Sequence, residues 1–124
     1  MEDIQYTFDY QEYFKQITPK TQMEIYNRFL FAFASVHTTW ESNVRGYQML
    51  KDKYHKTEKR TFNLIVKSKL GLHNTRTQGI YRFTKDYLKN PNEFQKDGFT
   101  TKNDASNHGM GLGIITKIIE RYNG

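Results

Sequence analysis

From residue 18 to residue 90 the apolar side chains recur three and four apart, in blocks divided by capping residues, and no stretch alternates like a half-buried strand. That spacing gives each segment one apolar stripe, and each stripe needs a second helix to cover it. The pattern predicts an all-α domain. Thr18-Pro19 reads as an N-cap with proline at the first helical position, opening a helix to about Val36 with the stripe Met23, Tyr26, Phe29, Leu30 and Phe33. Thr38-Thr39-Trp40-Glu41 reads as a capping box for a second helix, with Trp40, Val44, Tyr47 and Leu50 inward. Thr57 caps a third, with Phe62, Ile65 and Val66 inward and Gly71 as its stop. Asn74 caps a fourth, carrying Ile80, Phe83 and Tyr87 as far as Asn90-Pro91. A short helix over Tyr10 to Ile17 precedes these, and Asp97-Gly98 marks a turn. Together with a C-terminal helix this is a single helical domain over residues 1–124, with about six helices and one long connection near 92–108.

At 124 residues the chain is large enough to bury a core without staples. Its apolar content leans on nine Phe and nine Tyr. Tyr6, Phe8, Tyr10, Tyr13 and Phe14 crowd the N-terminus and are read as core packing rather than a base-stacking platform. The absence of cysteine excludes disulfides, zinc–thiolate sites and iron–sulfur clusters. His37, His55, His73 and His108 are scattered without ligand spacing, and no cofactor is expected from them. No signal peptide is recognised, and no apolar run approaches the roughly 20 residues of a membrane helix, so an intracellular protein with no membrane partner is expected.

A sixteen-residue segment near the end of the chain carries the chemistry. Asn107-His108-Gly109-Met110-Gly111-Leu112-Gly113 runs directly into Ile114-Ile115-Thr116-Lys117-Ile118-Ile119-Glu120-Arg121-Tyr122. Alternate glycines let the backbone turn tightly and approach a ligand without Cβ interference. The helix that follows leaves its first N–H groups without intrahelical partners, and its dipole favours an anion there. Such a segment is expected to cradle a phosphate, on a basic chain that of a nucleic-acid backbone. A dinucleotide or acetyl-CoA loop would need a strand before the glycines, and residues 97–107 do not read as one. The net charge of +6 is uneven: residues 41–90 carry +8, from Arg45 to Lys89. That concentration suits a polyanion, or equally a solvated lysine surface.

Three segments, in order, resemble the helix-hairpin-helix DNA glycosylase superfamily, its endonuclease III branch in particular. Ser35-Val36-His37-Thr38-Thr39-Trp40 followed by Asn43-Val44 is similar to its S-A-Q-T-T-D element. Gly71-Leu72-His73-Asn74-Thr75-Arg76-Thr77-Gln78-Gly79-Ile80 is similar to G-L-Y-N-S-K-A-x-x-I. His108-Gly109-Met110-Gly111-Leu112-Gly113-Ile114-Ile115 is similar to the hairpin L-P-G-V-G-x-K-T-A. The resemblance implies a DNA-binding domain whose hairpin motif, over residues 100–122, grips duplex phosphates through Gly109, Gly111 and Gly113 and can hold a monovalent cation. Lys117 would assist, with His37, Thr38, Arg45, Lys69 and Arg76 as further DNA contacts. His37 stands where the family has its space-filling glutamine, or is simply a histidine satisfied near a helix end. Arg76 would lie beside the backbone, or be an exposed surface arginine.

The departures argue against catalysis. The family's nucleophilic lysine position holds Gly113 or Ile115, which leaves Lys117 as a weak candidate, and the catalytic aspartate segment has no counterpart. The first expectation is therefore a catalytically incomplete DNA-binding protein. The second is a glycosylase-like or base-modifying enzyme completed by a partner chain, and the third a small phage-type protein-interaction module.

Overall fold

Thr21, not Thr18, opens the long central helix. The computed structural model describes residues 9–98 and 112–123. In it Thr21 Oγ1 accepts from the Glu24 N–H at 3.1 Å, and the Glu24 carboxylate accepts from the N–H groups of Thr21 and Lys20. This is a complete capping box. The same backbone donors, Lys20 first and then Thr21, hold the Glu24 carboxyl below its ordinary range. Pro19 is buried just ahead of the helix instead of sitting within its first turn.

Among the described residues there are seven helices and no strand: α1 Tyr10–Gln16, α2 Gln22–Ser35, α3 Trp40–Leu50, α4 Glu58–Ser68, α5 His73–Lys89, α6 Pro91–Gly98 and α7 Leu112–Asn123. The protein is all-α. Helix α2 is central and packs against α3, α5 and α7; α4 lies against α3 and α5, and α6 against α5 and α7. Every residue from Ile25 to Ala34 is buried, so α2 has no solvent face along most of its length. Phe29, Phe33, Ile80, Phe83 and Tyr87, all fully buried, join α2 to α5, and one apolar cluster takes residues from every helix. No helix among the described residues is long and apolar enough to cross a membrane.

Several expected boundaries move. Thr39, not Thr38, caps α3 by accepting from the Ser42 N–H, while the Thr38 hydroxyl turns back to donate to Ala34 O. Helix α5 starts one residue before Asn74, behind Leu72, whose backbone is left-handed at φ 47° and whose side chain offers no cap. Thr57 stands at the N-cap of α4 without a side-chain cap bond. Val66 faces solvent, so α4 buries a narrower face than expected. Residues 91–98 form α6 where a loop was expected, with Pro91 in the first turn and Phe94 driven in among Phe29, Phe83 and Tyr87. Of the N-terminal aromatics, Tyr10 and Phe14 pack on Phe31 and Tyr47, Tyr13 is exposed, and Tyr6 and Phe8 lie outside the described residues.

Two polar details fix the core. The Thr84 hydroxyl donates to Ile80 O, so the hydrogen between Tyr26 Oη and Thr84 Oγ1 comes from tyrosine, and Tyr26 Oη also accepts from the His55 N–H. Burial pushes the Tyr26 phenol up to about 12. The His55 ring is buried with Nε2 at 2.8 Å from Leu50 O, a contact that requires a proton on that nitrogen. Elsewhere α3 meets Leu70 so closely that a Cβ on Gly46 would stand 2.5 Å from Leu70 Cγ.

The burial of His55 and the Gly46–Leu70 contact are both testable. Burial lowers the His55 pKa below its ordinary 6.5. As pH falls through the unfolded value, the unfolded chain takes up a proton that the folded chain refuses, so stability declines below about pH 6.5 and is unaffected above it. Urea midpoints measured from pH 7.5 to 5.5 should fall with a slope that His55→Gln flattens. Gly46→Ala gains about 1 kcal/mol of helix propensity but overpacks Leu70 at a cost of about 1–3 kcal/mol. A lowered thermal midpoint is expected, recovered in part by adding Leu70→Val.

Candidate functional site

Helix α7 is built from Ile115, Ile118 and Ile119, whose spacing puts all three on one buried face, while Lys117, Glu120 and Arg121 are exposed. Its C-terminal end is tied to α5. Arg82 Nη2 donates to Tyr122 O at 2.6 Å, which satisfies a last-turn carbonyl. The Tyr122 ring stands edge-on to Phe83, and its hydroxyl donates to Asp86 Oδ2 at 2.8 Å. Burial first, then that carboxylate, raises the Tyr122 phenol well above its ordinary value. The opposite end of α7 begins at Leu112, where the glycine-rich segment enters it. The first N–H groups of a helix have no partner within the helix itself, and the helix dipole favours negative charge at that end.

Of the residues singled out from the sequence, Gly109 and Gly111 lie outside the described residues, as does any cation held by their carbonyls. Gly113 is in the first turn of α7, and Lys117 is exposed one turn later. His37 is exposed with a left-handed backbone at φ 57°, directly after α2. Lys69 is exposed at φ 61° as the C-cap of α4. Arg45 Nε donates to Ser68 O at 2.6 Å, and Arg45 Nη2 donates to Lys69 O and Ser42 Oγ, which holds α3 to the end of α4.

Arg76 is 2% exposed, not a surface arginine. Its Nε donates to Phe33 O, Nη1 to Gly71 O and Nη2 to Val36 O, so the guanidinium clamps the end of α2 to the start of α5. His37 and Arg76 line one cavity together, and Arg45 and Lys69 meet at a second place.

Sequence reasoning missed the arginine buried inside α2. Arg28 is 4% exposed, its guanidinium 4.3 Å over the Phe14 ring, and it donates to Phe14 O and Ile17 O at the end of α1. Burial pulls its pKa down to about 10, so it stays charged at neutral pH. The signal was a lone cation within the apolar run from Ile25 to Ala34.

An all-α protein whose C-terminal helix is braced behind a glycine-rich segment is the class that fold and site define. Residues 52–124, more than half of the chain, match the family model of the GHKL domain, an ATPase-type family, and the chain belongs to that family. No curated protein and no solved structure matches it.

The family match overturns the helix-hairpin-helix reading, and with it the DNA-binding, glycosylase, base-modification and repair roles drawn from that resemblance. The structure accounts for the misleading motifs. The Ser35–Asn43 segment is the α2–α3 turn with its Thr39 cap, and the Gly71–Ile80 segment is the left-handed entry to α5. Serine, threonine, glycine and asparagine recur wherever helices join by tight turns, whatever the family.

The clamp role of Arg76 makes a definite prediction. Arg76→Lys cannot reach three carbonyls at once, and loss of charged hydrogen bonds in the interior should cost about 2–3 kcal/mol. Chemical denaturation should show that loss, with helical content at 25 °C, as read by circular dichroism, mostly retained.

Proposed function

We propose that the segment from Gly109 to Gly113, with the first turn of α7, holds the phosphates of a nucleotide of the ATP type. The observation that carries this reading is that the GHKL match runs through the glycine-rich segment and the whole of α7. The donor set fits. Amides at a helix start point towards bound oxygens, glycines remove the Cβ atoms that would keep a phosphate away, and the dipole favours negative charge at that end. Lys117, exposed in the second turn of α7, adds a mobile cation. The buried isoleucine face and the Arg82 and Asp86 ties keep the helix from tilting as charge arrives.

A titration with ATP, followed by a competing fluorescent nucleotide, tests this. Saturable binding tighter than about 1 mM is expected from the intact chain. Gly111→Val should weaken it by about tenfold or more while helical content stays unchanged, and Lys117→Ala by about threefold, a loss that added salt should reduce. No saturation by the intact chain, or full affinity in Gly111→Val, would overturn the proposal.

A further inference from the structure

Behind the α2–α3 turn lies a cavity of about 530 Å³ lined by Phe33, Val36, His37, Leu72, Thr75 and Arg76. Among the described residues no carboxylate lines it, and Arg76 is its one fixed charge. The three acceptors that Arg76 meets are all neutral main-chain carbonyls. A buried guanidinium without a countercharge is costly unless something anionic joins it. A guanidinium has five N–H hydrogens, and the three carbonyls leave one on each terminal nitrogen. Two hydrogens on adjacent nitrogens suit the two oxygens of a carboxylate.

Beside Arg76, the cavity has three apolar lining residues, Phe33, Val36 and Leu72, and two polar ones, His37 and Thr75. Phe33 and Val36 line the cavity from the end of α2, and Leu72 is 53% exposed. Leu72 also gives the first turn of α5 no side-chain cap. An apolar pocket with a few convergent donors is the usual form of a small-molecule site.

We propose that this cavity binds a small carboxylate carrying an apolar body, with Arg76 facing the carboxylate and Phe33, Val36 and Leu72 covering the body. A single fixed cation favours a singly charged head over a phosphate dianion. The site is independent of the nucleotide reading.

Octanoate titrated into the full chain, followed by amide shifts, is the test, with octanol as the neutral control. Saturation with Kd on the order of 1 mM or tighter is expected, with shifts centred on residues 36–37 and 71–76 and octanol weaker by about tenfold or more. Arg76→Lys also loosens the clamp between α2 and α5, so the deciding variant is Leu72→Asp. Aspartate tolerates a left-handed backbone and would put a like charge at the cavity. Leu72→Asp should keep the thermal midpoint and lose octanoate binding by about tenfold or more. Absence of saturation, equal affinity for octanol, or undiminished binding by a folded Leu72→Asp would each overturn the proposal.

Discussion

The structure depends on a helix that has no outside. Ten successive residues of α2 are buried, so each polar side chain among them must find its partner within the protein. A buried polar group left unpaired costs about 1–3 kcal/mol, which is enough to decide where neighbouring elements stop. Asn27 exchanges two hydrogen bonds with Asp52, donating to its carboxylate and accepting from its N–H, and thereby fixes the turn after α3. Arg28 takes the carbonyls at the end of α1, and Tyr26 joins Thr84 of α5 to the His55 main chain. The loops therefore take their shape from α2.

The same logic continues at the end of α2. Its last carbonyls cannot all reach water, and Arg76 takes two of them. The chain around that clamp turns through left-handed residues at His37, Lys69, Gly71 and Leu72, a conformation that costs a bulky side chain more than it costs glycine. Arg45 supports the same region by closing the end of α4. Both arginines look like surface charge in the sequence and are main-chain fasteners in the fold. Two of the cations of residues 41–90 are thereby engaged by main-chain carbonyls, Arg76 buried and Arg45 half-buried.

How much of this was legible follows from which forces act locally. The helical class and the apolar positions Tyr26, Phe29, Phe33, Ile80, Phe83 and Tyr87 were readable, because helical periodicity records burial directly. Boundaries were less so: Thr18-Pro19 and Thr21-x-x-Glu24 both signal a start, and only the second has a carboxylate placed to close the box. Helix α6 was hidden because its eight residues offer one large apolar anchor, Phe94, too few to show a period. The roles of Arg28, Arg45 and Arg76 could not be read from spacing, since each has main-chain acceptors between 11 and 43 residues away that only folding brings close. At the candidate site, the glycine-rich entry to a helix was visible in the sequence, but the family was not. Short turn motifs are shared by unrelated helical proteins, so they pointed to the wrong one.

Helices α2 and α5 support α7, and on the nucleotide proposal the start of α7 would meet the ligand. Backbone amide shifts recorded during addition of ATP test this most directly. The account predicts that the largest changes fall on Gly109 to Ile115, while Ile118, Ile119 and Tyr122, locked against α2 and α5, barely move. Shifts spread evenly over the surface, or centred on another helix with the start of α7 unchanged, would contradict it.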